Sequence, residues 1–378
     1  LYANSKLDID DWYAIGEGGA SMKVLVTGAG GFIGRHIVEE LCELGHPVRA
    51  TDLPSSDLSS SAALGAEVMP GDLLNPDDVS KLLDDVSHVI HCAATFNLGL
   101  PVETCLKVNR DASVLLADEA GKRGVEQFLH MSTGGVYGGS VYTPMREDHP
   151  HHPPDAYSLS KEAGEAAVAH KMREYGIPLT IFRPTAVYGP HSTYIAGAFY
   201  VLPSILRYRG IKKLPSVTGG KSLTLVHVKD IAGSVCFCLN NPDAYNEDFN
   251  LSEDKPLVAG EFFDFLFELF DIKVAFHVPY PKRLVEGFAN LALKLPGPVS
   301  FGLANFVLDK MWNNIVAERG LVKKLKPHFD QDFMYFLLGN HYLDNSKIRG
   351  IGYVSRYPTC LEGLGETLEW YRSERWLP

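Results

Sequence analysis

No stretch of this 378-residue chain is apolar for long enough to cross a bilayer, and nothing in it repeats or falls to low complexity. Cysteine is scarce. The six, Cys42, Cys92, Cys105, Cys236, Cys238 and Cys360, include no CxxC pair and no secretory disulfide framework. Four of them lie in apolar runs and read as buried small hydrophobes in a reducing, cytoplasmic compartment. Positive charge is short as well. Thirty-five Lys and Arg against 46 Asp and Glu leave a net −11, which repels nucleic acid and anionic membranes at long range. The first 21 residues are acidic and polar, without the basic-then-apolar pattern of a secretory signal, and are set apart from the fold as an extension before Met22. The chain as a whole, 46% hydrophobic and 21% charged, is ordinary for a soluble globular protein.

From Met22 the sequence alternates between two periods. "MKVLVTGAGGFIGRHIVEELCELGHPVRATDL" reads as strand, glycine turn, helix and strand, with Ile33, Ile37, Leu41 and Leu44 at helical spacing. The strands "AEVMPGD", "HVIHCAA", "QFLHMST" and "LTIFRP" follow, separated by helices, one of them running from about Val102 to Ala120. Strands alternating with helices predict an α/β fold, a doubly wound parallel sheet covered on both faces. After about Pro190 the rhythm changes. Residues 22–190 are assigned to the first domain, with a return segment near 222–242. Residues 191–221 and 243–358 are assigned to a smaller, discontinuous C-terminal substrate lobe. Residues 359–378 are assigned to a terminal helix with Leu361, Leu364, Leu368 and Trp370 or Tyr371 inward.

"TGAGGFIG" places Gly28, Gly31 and Gly34 between a strand and a helix. Small residues there let a pyrophosphate approach the backbone, and the helix N-terminus offers free N–H groups and a positive dipole end. Asp52 ends the next strand, eighteen residues past Gly34, where a carboxylate accepts both hydroxyls of an adenosine ribose. It repels a 2′-phosphate, so NAD is expected over NADP, although Arg35 and Arg49 lie close in sequence.

Tyr157 and Lys161 are one helical turn apart, so their side chains share a face. Ser132 and Thr133 end the preceding strand, and a doubly wound sheet brings all four to the carboxyl edge of its strands. Hydride transfer to or from an alcohol carbon needs a proton to leave or join the oxygen. A phenol of pKa ~10 is a poor base unless nearby positive charge stabilises the phenolate, the role expected of Lys161 and of the positive nicotinamide ring together. Thr133, or Ser132 beside it, is positioned to hold the substrate oxygen.

These pieces, with Asp72 in "GDL", "HVIHCAA", Asn109 in "VNRDAS", "MSTGGVYG", "YSLSK", "RPTAVYGP" and "VHVKD", resemble the extended short-chain dehydrogenase/reductases, in the family's order from Lys23 to Asp230. The resemblance implies a Rossmann NAD(P) domain with Thr133, Tyr157 and Lys161 as the catalytic set. The cofactor-binding positions it implies include Phe32 and Ile33 in the glycine turn, Asp72 and Leu73 at the adenine, and Ala93, Ala94, Asn109 and Pro184. Thr95, Gly134, Ala186 and His191 are carried over as substrate-side positions. Homodimers through the helices starting near Val102 and Tyr157 are also implied.

Nucleotide-sugar epimerases and dehydratases dominate that family. Dehydratases follow the Ser/Thr with Asp-Glu, where this chain has Gly134 and Gly135. Many epimerases carry an Asn at the position of Ala186 and a phosphate-clamping Arg at that of Leu223. The tail "NHYLDNSKIRGIGYVSRYPTCLEGLGETLEWY" resembles the 3β-hydroxysteroid dehydrogenase-like branch. A hydrophobic secondary alcohol or ketone, sterol-, lipid- or flavonoid-like, is the substrate this implies. A nucleotide-sugar 4-epimerase is the alternative, and a non-catalytic cofactor-binding member a third. Leu284, Phe288, Leu291 and Leu295 recur at helical spacing beside Lys282, Arg283 and Lys294. They read first as a core-facing helix, and otherwise as a hydrophobic lid touching a membrane surface. His149, His151 and His152 lack the spacing of a metal site, so no metal is expected. Arg183 reads as a structural ion-pair partner.

Overall fold

The computed structural model describes residues 22–96, 100–294, 297–327 and 342–378; the leader and Leu295 of the helical stripe lie outside them. Val24–Thr27 (β1) leads through the glycine turn into Phe32–Glu43 (α1) and Val48–Thr51 (β2). Then come Ser59–Ala63 (α2), Glu67–Val68 (β3), Pro76–Leu82 (α3) and His88–His91 (β4). Val102–Leu106 (α4) runs through one wide π turn, Lys107–Asp111, into Ala112–Arg123 (α5). Gln127–Met131 (β5), Ala156–Tyr175 (α6) and Leu179–Pro184 (β6) complete the alternation.

The later part is less regular, as its sequence suggests. Ala186–Tyr188 (β7), Tyr194–Phe199 (α7), Val201–Tyr208 (α8), Lys213–Thr218 (β8), Ser222–Leu223 (β9) and Leu225–His227 (β10) precede Val228–Cys238 (α9). Glu247–Leu251 (β11), Leu257–Val258 (β12), Ala259–Leu269 (α10) and Lys273–Pro279 (β13) follow. Lys282–Lys294 (α11), Gly297–Arg319 (α12), Ser346–Gly350 (α13) and Cys360–Ser373 (α14) end the chain.

Seven strands form one parallel sheet in the order β11-β6-β5-β4-β1-β2-β3. The order reverses about β1, and the crevice between the ends of β1 and β4 is where such sheets bind ligands. The helices bury apolar stripes on both faces: Ile37, Val38 and Leu41 of α1 with Ile231 and Val235 of α9, and Leu116 and Ala120 of α5 with Val168 and Met172 of α6. Strand β11 corrects the domain boundaries read from sequence. It pairs in parallel with β6, and Phe249 and Leu251 join the first core, so 247–251 belongs to the sheet rather than to the lobe. In the return segment α9 packs on α1, while β10 pairs with β7 outside the main sheet.

A second core joins α7, α8, α10, the C-terminal half of α12 and α14, with Leu364, Leu368 and Tyr371 of α14 inside it. The helix α11 departs from its core-facing expectation. Leu284 is 75% and Leu291 60% exposed, because neither core lies on that side of the helix. Arg183 is the ion-pair centre expected of it, binding Glu165 and Asp248 and donating to Tyr137 Oη at 3.0 Å. All six cysteines are free thiols. Among the described residues no helix is long and apolar enough to cross a membrane.

Candidate active site

The glycine turn is built for close approach. Gly28 has φ of 69°, and a Cβ there would sit 2.7 Å from Ala93 N at the end of β4. A Cβ on Gly34 would sit 2.2 Å from Gly28 O, so only glycine lets α1 begin this near the strand. Gly31, at the N-cap of α1, brings no side-chain acceptor to the first-turn amides, and Phe32 and Ile33 open that turn. These free N–H groups at the crevice suit a pyrophosphate.

Asp52 stands where the sequence places it. Its Oδ2 accepts from Gly30 N at 3.0 Å, and its Oδ1 from Leu53 N at 2.7 Å and Ser56 Oγ at 2.8 Å. The carboxylate is thus held at the lip of the turn, ready for a ribose diol. Arg49 is turned away. It is buried and donates to Leu82 O at 2.9 Å and to Glu67 at 3.0 Å, so it supplies nothing to a 2′-phosphate. Asp72 accepts from Leu74 N, and Leu73 packs into the core beneath it. Glycine turn, uncapped helix and carboxylate together fit a dinucleotide.

At the carboxyl edge of β5, Ser132 is buried with no partner for its Oγ among the described residues. Thr133 caps the next turn, its Oγ1 accepting from Gly135 N at 3.1 Å, which leaves its own proton for a substrate oxygen. A Cβ on Gly135 would lie 2.6 Å from Ser158 Oγ and 3.4 Å from Thr133 Oγ1, so this turn packs onto the first turn of α6. Asp155 opens α6 as its N-cap, accepting from Ser158 N at 2.7 Å. Tyr157 follows it, and Lys161 lies one turn further, 2% exposed.

Burial drives the electrostatics of the pair. It brings the Lys161 amine down to about 8, although Cys92 and Glu165 pull the other way. It pushes the Tyr157 phenol well above its ordinary value, and Asp155 adds in the same direction. The lowered phenol expected from sequence is therefore not a property of the protein alone: without a bound cofactor, desolvation and the Asp155 carboxylate both raise it. Behind Lys161, His91 and His130 lie side by side on β4 and β5, ring centroids 5.4 Å apart and both held neutral by burial. His91 Nδ1 is 2.7 Å from Thr27 Oγ1 and its Nε2 is 2.8 Å from Ser113 Oγ.

Two expected residues take other places. Asn109 is fully enclosed. It accepts from Thr95 N at 2.8 Å and donates to Ser160 Oγ at 2.9 Å, so it supports the loop after β4 from behind instead of lining a ligand. His191 has φ of 69° and meets Arg35 at 3.0 Å across its Nδ1, beside the glycine turn and against Trp370. Burial brings it down to about 4, and Arg35 adds to that. Its neighbours thus include Arg35 of α1 and the aromatic end of α14. Pro184 ends β6, with its carbonyl 3.1 Å from a Cβ built on Gly134, and Ala186 opens β7. Ala94 is an exposed position of the loop after β4.

Phe96 was not singled out from the sequence. Its ring stands edge-on to Tyr157 at 5.0 Å and edge-on to Tyr194 at 5.6 Å, and it is 55% exposed. Its position two residues beyond the Ala93-Ala94 pair was the available clue. In the histidine loop, His149 accepts from Val141 N at 3.0 Å, and His151 pairs with Glu162 at 3.1 Å.

A Methanocaldococcus jannaschii protein provisionally named UDP-glucose 4-epimerase is 31% identical over 251 residues, 64% of this chain and 81% of that protein. The dTDP-D-glucose 4,6-dehydratase of Mus musculus is 30% identical over 187 residues, 46% of this chain and 53% of that enzyme, of which the match thus spans about half. The Thermus thermophilus UDP-glucose 4-epimerase, solved in complex with NAD, superposes with a TM-score of 0.63 over 93% of this chain and 99% of its own, at 22% identity, a likeness of fold. Residues 24–252, more than half of the sequence, match the family as a whole: the chain belongs to the NAD dependent epimerase/dehydratase family, within the extended short-chain dehydrogenase/reductases.

Proposed function

We propose that the protein is an NAD-dependent oxidoreductase that interconverts a secondary alcohol and a ketone on a hydrophobic substrate, in the manner of the 3β-hydroxysteroid dehydrogenase-like branch. The observation that carries this is Phe96, a half-exposed aromatic ring set edge-on against the acid–base phenol and continued by Tyr194. A wall of this kind beside the reacting oxygen favours an apolar ligand surface. Leu223 supports it. Where a phosphate-clamping arginine would stand, it pairs with Leu257 and is 6% exposed in the second core.

NAD would supply the hydride acceptor, or as NADH the donor, and Gly28, Gly31, Gly34 and Asp52 would hold it. In the oxidation direction the Thr133 hydroxyl holds the substrate oxygen, and Tyr157 takes the hydroxyl proton as the C–H hydride leaves. In reduction the phenol returns the proton to the carbonyl oxygen. Lys161, itself buried, lowers the cost of the phenolate. The homodimer, through α4, α5 and α6, and a reducing cytoplasmic location for six unpaired thiols are parts of the same proposal.

A nucleotide-sugar 4-epimerase is the second reading, favoured by the relatives' names, and it uses the same three residues through a transient ketone. Incubation with NAD and separate panels of sterols, hydroxy-lipids and UDP-sugars distinguishes the two. NADH formation on an apolar secondary alcohol, lowered about 10²- to 10⁴-fold in Tyr157→Phe with NAD affinity intact, is the expected result. Turnover of a UDP-sugar alone overturns the hydrophobic substrate. Undiminished activity of Tyr157→Phe overturns the role of the phenol.

A further inference from the structure

The two helices α11 and α12 carry apolar side chains on the wrong side. Along α12, Phe301, Trp312, Ile315 and Val316 are buried and define its inner face. Leu303, Phe306 and Val307 lie on the opposite face, and Leu303 is 79% and Phe306 68% exposed. Leu284 and Leu291 on α11, seven residues apart, are also turned outward. Seven of the fifteen large hydrophobics that are exposed among the described residues fall between Phe276 and Val307. A helix serving only to fold presents polar residues there. An apolar set this concentrated marks an interaction surface.

Charge says what kind. On the two helices, from Lys282 to Arg319, stand five Lys and Arg (282, 283, 294, 310, 319) and three acids, Glu286, Asp309 and Glu318, a local +2. Since the whole chain is −11, the remainder is −13, so the two helices carry the opposite sign to the rest of the chain. Two copies meeting through this region would set like charge against like. An apolar face bordered by Lys and Arg matches the headgroup boundary of an anionic bilayer, where the side chains enter the acyl layer and the cations meet the lipid charge. The long-range repulsion read from the net charge is thus reversed locally, because charge beyond about a Debye length is screened.

We propose that the outward faces of α11 and α12 are a docking surface for an anionic lipid bilayer, holding the enzyme on the membrane without crossing it. The proposal goes beyond the reading of the catalytic site and does not depend on which substrate Tyr157 serves.

Co-sedimentation of the full chain with phosphatidylcholine vesicles, with and without about one-third phosphatidylserine, tests it at low and high salt. Binding is expected to the anionic vesicles only and to weaken with salt. It should fall about tenfold or more in Leu291→Glu/Phe306→Glu and, separately, in Lys282→Glu/Arg283→Glu. All four positions are exposed, and NAD titration of each variant checks that the fold and cofactor site persist. No binding to either vesicle overturns the proposal, as does binding that the substitutions leave unchanged. Self-association in sedimentation velocity, abolished by Leu291→Glu/Phe306→Glu without any vesicle binding, overturns it in favour of a second copy of this chain. Loss of turnover with vesicle binding intact would bear on the catalytic reading alone.

Discussion

The rings of Phe96 and Tyr157 meet edge to face, centroids 5.0 Å apart and planes at 88°. The phenol belongs to the proposed catalytic set, while the phenylalanine comes from the loop after β4. Their contact makes one side of the reaction site aromatic, and it is here that substrate choice is expected to reside.

Phe96→Ala should raise KM for an apolar alcohol by about three- to tenfold, the worth of one aromatic contact, while NAD affinity stays as it was. Steady-state kinetics at saturating NAD and a separate NAD titration read the two effects. An unchanged KM would place the substrate elsewhere.

Lys161 gives a pH signature. Burial holds its amine at about 8 in the folded protein against 10.5 for an ordinary lysine. Between those values the unfolded chain keeps a proton that the folded chain has released, so rising pH favours the folded state through this group. The difference in unfolding free energy between the wild type and Lys161→Met should shift towards the wild type by up to about 3 kcal/mol across that window. Other titrating groups cancel in the difference. A flat difference curve in denaturant titrations would mean that the amine is not buried as described.

Asp52 is the residue expected to set the choice of dinucleotide. The wild type should bind NAD more tightly than NADP, and Asp52→Ala should narrow the ratio by on the order of tenfold by removing both the diol acceptor and the repulsion. The substitution also frees Gly30 N and Ser56 Oγ. Fluorescence titration with the two cofactors measures it, and an unaltered ratio would exclude Asp52 from the ribose site.

Asn109 acts through what it holds. Asn109→Ala leaves Thr95 N without its acceptor and should lower stability by about 1–3 kcal/mol in chemical denaturation. KM should rise together with this loss, since the freed loop carries Phe96. Loss of stability with KM unchanged would reduce Asn109 to a purely structural residue.

Much of the architecture was legible because it is local. The strand, glycine turn and helix of residues 24–43 are written in spacings of two and 3.6 residues, and Asp52 and the Tyr157–Lys161 turn follow from counting along elements whose geometry does not depend on distant contacts. The parallel sheet follows from the alternation of such units. Other features depend on which remote segments meet. His191 rests on Arg35, 156 residues away, and Asn109 turns inward through a π turn to grip Thr95. Strand β11 returns to the sheet from beyond the lobe. The stripe on α11 had the same period whether it faced a core or solvent. Periodicity fixes which side chains share a face, while only the packing of neighbouring elements decides what that face meets.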